Sequence, residues 1–158
     1  MDLVRDFVVS LLVSFALCVS AGHAQEKEKK IKRSDLPPAV EKTVAAQSSG
    51  ATIKGFSKEQ EGGKSYYEAE MLVNGHSKDV LIASDGSVVE VEEEVAFDSL
   101  PAAVKTGLQS KAGSGKIQTV ESITKHGRVV AYEAKVNNYG KKSEIQVGPD
   151  GKPLDHEE

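Results

Sequence analysis

The sequence predicts an α+β fold of two tandem helix-plus-antiparallel-sheet repeats, with both helices packed on one face of a shared sheet. Three observations carry this expectation. A stripe of aliphatic residues at helical spacing occurs twice. Apolar and charged residues alternate with period two after each stripe. Glycine-bearing turns cut the alternating stretches into short strands.

The first segment stands outside that fold. Residues 1–24 read as a secretory signal peptide: "MDLVRD", an apolar run, then Gly22 and Ala24 as the small residues of a cleavage site. The run is shorter than the ~20 apolar residues of a spanning helix, so no stable membrane insertion is expected after cleavage. Cys18, the only cysteine, lies within it. Leu17 precedes Cys18 where a lipid-anchor signal wants a small residue. Cleavage leaves a chain without cysteine, which excludes disulfides, thiol catalysis and cysteine-ligated metals. Residues 25–33, "QEKEKKIKR", hold one apolar residue, Ile31, and read as a charged, solvated linker. The remaining chain is acidic, and with export this argues against nucleic acid as a partner.

Two units follow, residues 34–95 and 96–158. Leu36, Pro37, Ala39 and Val40 recur as Leu100, Pro101, Ala103 and Val104. Tyr67, Glu68 and Ala69 recur as Tyr132, Glu133 and Ala134, and Asp85–Gly86 as Asp150–Gly151. Matches in one order over nearly the whole chain are the signature of an internal repeat. Each unit opens with a helix at a proline, which is tolerated in a first turn. Asp35 and Ser99 are the expected N-caps. Leu36, Val40 and Val44 form the first stripe, and Leu100, Val104 and Leu108 the second. In the strands Tyr67, Ala69, Met71 and Val73 share a face, as do Tyr132, Ala134 and Val136. "NGHS", "NYGK", "SDGS" and "PDGK" are the turns. "SVVEVEEEV" closes unit one as a strand, while Pro153 shortens or abolishes its counterpart.

A helix opening "LPxAV", then "YEAxxxxxG", then an apolar strand and "DG", resembles the PepSY-like repeat. The tandem arrangement over residues 34–155 is similar to exported PepSY-like proteins described as β-lactamase-inhibitor-like. The resemblance implies an extracytoplasmic, non-enzymatic protein of two helix-plus-sheet units with a binding or inhibitory role. It implies no cofactor and supplies no target residue.

The residues themselves offer little chemistry. No serine sits in a Gly-x-Ser-x-Gly elbow, and no phosphate-binding loop is present. "AGSGK", Ala112 to Lys116, reads as a helix stop. His76 and His126 fall in separate turns and His156 in the closing segment, so none share metal-ligand spacing. No catalytic residue and no dedicated metal site is expected. No carboxylate sits in an apolar sequence context that would raise its pKa. The run Glu90 to Glu94 has two readings: a docking patch or weak cation site, or a solvated strand end whose charges deter edge pairing.

Strand phase points to a surface. If Tyr67 faces the core, then Tyr66, Glu68, Glu70, Leu72 and Leu81 face outward. Unit two offers Ala131, Glu133, Lys135, Asn137 and Gln146 there. The partner-binding candidates are therefore Tyr66, Glu68, Glu70, Leu72, Leu81, Glu90 and Glu92. The expected function is an exported binding protein that engages an extracytoplasmic protein or peptide through the open sheet face, its sharper form an inhibitor of an exported hydrolase. The alternative is an extracytoplasmic sensor or stress protein that binds a small ligand or divalent cation through acidic residues.

Overall fold

The computed structural model describes residues 28–61, 63–156 and 158. The expected signal peptide, with Cys18, and the start of the expected linker lie outside the described residues. The described residues form one antiparallel sheet of eight strands whose spatial order is the chain order. The strands are β1 (Lys29–Ile31), β2 (Thr52–Glu61), β3 (Lys64–Val73), β4 (His76–Ala83), β5 (Val88–Glu94), β6 (Lys116–Lys125), β7 (Arg128–Asn138) and β8 (Lys141–Val147). Helix α1 (Pro38–Gln47) separates β1 from β2, and α2 (Ala102–Ala112) separates β5 from β6.

Both helices bury the expected stripe. Val40 and Val44 of α1 pack with Leu36, Phe56, Tyr67, Ala69, Met71, Val80 and Ile82. Val104 and Leu108 of α2 pack with Leu100, Val120, Ala134, Val136 and Val147. Register places these clusters on the same side of the sheet, since Val80 faces Val91 and Val91 faces Thr124, two residues before which Ser122 and then Val120 share the side. Each fully buried aliphatic side chain contributes roughly 1.5–3 kcal/mol, so these two clusters hold the helices to the sheet.

The helix starts differ from expectation. Asp35 and Ser99 lie in 3-10 turns, Arg33–Asp35 and Phe97–Ser99, and cap neither helix. Pro37 and Pro101 are the N-cap residues, with no side-chain cap bond. A residue before proline is pushed into extended backbone, and Leu36 and Leu100 take that conformation. α1 therefore begins at Pro38, a proline in the first turn as expected, and α2 at Ala102, one residue beyond Pro101. Asp35 instead accepts from Lys32 N at 3.0 Å, and Ser99 Oγ donates to Ala96 O at 2.7 Å.

The segment read as a solvated linker supplies β1. Ile31 sits opposite Phe56 and packs against the α1 cluster, with Lys29 and Lys30 exposed beside it. Val95 holds the same place ahead of α2, donating its amide to Val120 O at 2.8 Å. The hairpin turns follow the glycine signals. Asn74 and Gly75, and Tyr139 and Gly140, all have positive φ, the pairing that matches the twist of adjoining strands. Among the described residues no strand follows β8, as Pro153 suggested.

Candidate binding face

The sheet face opposite the helices is built by register. Period two turns Tyr66, Glu68, Glu70 and Leu72 of β3 away from the α1 cluster. On β4 their partners are Ala83, Leu81, Asp79 and Ser77. On β5 Leu81 faces Glu90 and Asp79 faces Glu92. On β6 Glu90 faces Lys125, Glu92 faces Ile123 and Glu94 faces Glu121. On β7 Ile123 meets Ala131 and Glu121 meets Glu133, and Gln146 of β8 faces Glu133. Carboxylates thus stand directly opposite one another across Glu70, Asp79 and Glu92, and again across Glu94, Glu121 and Glu133. Directly opposed side chains lie ~5 Å apart, and like charges there destabilise.

The fold manages these charges in two ways. Some carboxylates are paired. Glu121, 3% exposed, accepts from Ser77 Oγ at 2.8 Å and forms an ion pair with Lys135 Nζ at 2.9 Å. Glu94 accepts from Ser77 N at 3.2 Å and lies 3.1 Å from His76 Nδ1, which holds its carboxyl below the ordinary range. Lys125 Nζ lies 3.2 Å from Glu90 and 3.1 Å from Glu158. Others are pushed toward the neutral form. Burial raises Glu68 to about 7, against the hydroxyl of Ser57 at 2.9 Å, with Asp79 and neighbouring glutamates adding to the rise. Burial, then Glu121 and Glu70, raises Asp79 to about 6. Burial raises Glu133 to about 7 although Gln146 Nε2 donates to it at 2.9 Å. Glu92 is raised most, by burial and then by Glu90, Glu133 and Glu121.

Three expectations are corrected here. The run Glu90 to Glu94 is not a solvated strand end that deters edge pairing, because β5 is an interior strand paired on both sides. Glu90, Glu92 and Glu94 share the open face, while Glu93 turns to the helix side and pairs with Lys78 at 3.2 Å. Carboxylates with raised pKa are present, because strand pairing supplies the burial and the neighbouring charge that no single stretch contains. His76 also proves to be the first residue of β4 rather than a turn residue.

The expected surface residues lie together on this face. Tyr66, Leu72 and Leu81 are half-buried there, beside Glu68, Glu70, Glu90 and Glu92. The unit-two half is more covered: Ile123 and Ala131 are fully buried although neither joins a helix-side cluster. The closing segment returns to this half, where Glu158 N donates to Gln146 Oε1 at 2.9 Å while its carboxylate reaches Lys125. Sequence reading passed over Asp79 and Glu121, for which alternation along β4 and β6 was the available signal. For a cation, oxygens of Glu28, Glu68 and Glu70 lie within 4.8 Å of one another. A groove of about 520 Å³ beside α2 is lined by Val95, Phe97 and Ile117 together with Gln109, Gln118 and Thr119.

No protein-family model matches the sequence, and no curated protein sequence matches it. Solved structures do match. The fold is that of a group of Bacteroides proteins. A BLIP-like protein from Bacteroides fragilis is 24% identical, with a TM-score of 0.54 over 75% of this chain and 83% of that one. A DUF2874 family protein from Bacteroides ovatus is 23% identical, with a TM-score of 0.56 over 76% and 86%. A Bacteroides eggerthii protein described as periplasmic is 22% identical, with a TM-score of 0.60 over 75% and 86%. Among the described residues no helix is long and apolar enough to cross a membrane.

Proposed function

We propose that the chain is an extracytoplasmic, non-enzymatic binding protein of two PepSY-like repeats that engages another extracytoplasmic protein through its open sheet face. Its sharper form is an inhibitor of an exported hydrolase. One observation carries this: the face opposite the helices holds half-buried Tyr66, Leu72 and Leu81 among carboxylates that strand pairing sets side by side. Apolar residues grouped within a polar rim are the usual anatomy of a contact surface. The likeness to a BLIP-like protein and to a protein described as periplasmic supports the role and the location.

The test compares capture of partners from the exported fraction by wild type, by Tyr66→Ala/Leu81→Ser, and by a helix-side control, Lys42→Ala/Lys105→Ala. The expected result is one partner lost with the face variant and kept with the control, together with inhibition of that partner if it is a hydrolase. Equal capture by all three overturns the surface assignment. The second reading, a divalent cation sensor, draws on the proximity of Glu28, Glu68 and Glu70. A calcium-dependent rise in Tm that Glu68→Gln/Glu70→Gln abolishes favours it over protein binding.

A further inference from the structure

The two halves of the chain share a turn and then part. At the end of β4, Gly86 N donates to Ala83 O at 2.8 Å and Ala83 N donates to Ser87 O at 2.9 Å. The chain then returns as β5 and pairs along β4. At the end of β8 the same bonds form: Gly151 N to Gly148 O and Gly148 N to Lys152 O, both at 2.8 Å. Asp85 accepts from Ser87 N at 2.9 Å, and Asp150 accepts from Lys152 N at 3.0 Å. The next residue decides the outcome. Val88 enters β5 opposite Ile82, whereas Pro153 has no N–H to give a ladder. Its segment leaves the sheet plane for the open face, where Glu158 reaches Gln146 and Lys125.

Among the described residues β8 is therefore the last strand, with β7 as its strand partner. In an antiparallel strand alternate residues turn their backbone groups to opposite sides. Gly148 donates away from β7, so Gln146 and Lys142 direct theirs outward as well. The Gln146 carbonyl accepts from Lys111 Nζ at 2.9 Å. Lys142 lies further along, on the exposed stretch Lys141–Ser143.

We propose that the outer edge of β8, at Lys141–Ile145, is a docking site for an extended partner segment that alternates aliphatic and acidic residues. β5 is the template for that segment. On the helix side its Val91 lies opposite Val80, and on the open face its Glu94 accepts from Ser77 N. Ile145 faces Ala134 as Val80 faces Ala69, and Lys142 faces Asn137 as Ser77 faces Leu72. An incoming aliphatic residue packs on Ile145, an incoming carboxylate meets Lys142 where β4 offers a neutral serine, and the position between them, which Glu92 holds opposite Asp79 in the template, takes a neutral residue because it faces Glu144. Strand addition of this kind takes affinity from main-chain hydrogen bonds and selectivity from alternate side chains.

Tyr139 adds a second observation. It opens β8 from the preceding turn, is 98% exposed, and holds φ 50, where unit one places Asn74. A bulky side chain is costly in that backbone region, and an exposed aromatic beside an open edge is a ready anchor. A second copy of the chain suits the edge poorly, because β1 would bring Lys29 and Lys30 against Lys141 and Lys142. The edge lies apart from Tyr66 and Leu81, so failure of either surface leaves the other standing.

The probe is a synthetic peptide covering Ser87–Phe97 with Glu92→Gln, which removes the like charge facing Glu144, titrated onto the isotopically labelled chain. Saturable binding is expected, with slowed exchange and a shifted amide signal at Lys142. Lys142→Pro removes the outward N–H without touching the β7 ladder, and weakens binding by about tenfold or more. Lys142→Glu does the same through charge, and covers the case in which the proline variant fails to fold. A peptide with its glutamates changed to lysine binds weakly. Pro153→Val lets the chain's own segment pair with β8 and excludes the peptide. No saturable binding, binding by both Lys142 variants as tight as by the wild type, or signal changes confined to Glu68 and Leu81 overturns the proposal. So does a dimer that saturating peptide fails to dissociate.

Discussion

On the helix-covered face Val80 stands between Ala69 and Val91; one residue along, on the open face, Asp79 stands between Glu70 and Glu92. The same strands and the same hydrogen bonds carry both rows. The covered row is stabilised by area removed from water, which each residue contributes almost regardless of its neighbours. The open row depends on who stands beside whom. Glu121 is settled by Lys135 and Ser77, while Glu92, one strand away, meets mainly other carboxylates and rises in pKa. A buried charge is tolerated only with a partner, so one face tolerates variation in detail and the other does not.

The largest expected effect lies on the covered face. Ile82→Ala, at a fully buried position, should cost about 2–5 kcal/mol in urea unfolding, and the half-buried Leu81→Ala clearly less. Equal costs would erase the distinction. Next comes Glu121→Ala, which strips Lys135 of its partner and should cost about 1–3 kcal/mol. Glu92→Gln should act with the opposite sign, raising stability at pH 8, because the folded chain holds on the Glu92 carboxyl a proton that the unfolded chain releases at that pH.

That contrast extends to pH. Folding raises Asp79 to about 6 and Glu68 and Glu133 to about 7, so between their ordinary values and these the folded chain holds more protons than the unfolded one. Stability then falls as pH rises from about 4 through about 7, and keeps falling while Glu92 ionises. Chemical denaturation at pH 5 and pH 8 should show the loss, and Glu68→Gln/Glu133→Gln should flatten it. The smallest effect is reserved for Arg33→Ala, which breaks the solvent-exposed pair with Glu41 at 2.7 Å and should leave Tm nearly unchanged.

Legibility follows the same division. Val40 and Val44, Val104 and Leu108, and the alternation of Tyr67, Ala69 and Met71 each declare themselves within one short stretch, so the helices, the covered face and most turns were readable. The acidic cluster was not. Glu70, Asp79 and Glu92 come from three strands, and their meeting depends on a register that no single strand encodes. Glu90 to Glu94 was read as a strand end for the same reason. β1 escaped notice because three residues with one apolar member, Ile31, carry no periodic signal, and only the pairing of Ile31 with Phe56 reveals it. Asp35 and Ser99 looked like caps because the constraint of the following prolines on Leu36 and Leu100 was left out.

The agreement between strand order and chain order has a consequence for how fast the molecule forms. Most neighbouring strands meet across a turn of a few residues, and only β1–β2 and β5–β6 wait for a helix to fit between them. Closing a short loop gives up little chain entropy, and proteins dominated by nearby contacts fold faster than sandwiches that must bring distant strands together. Each hairpin can form from its own turn and add to the last, so the sheet assembles as a zipper along the chain rather than by a search across it.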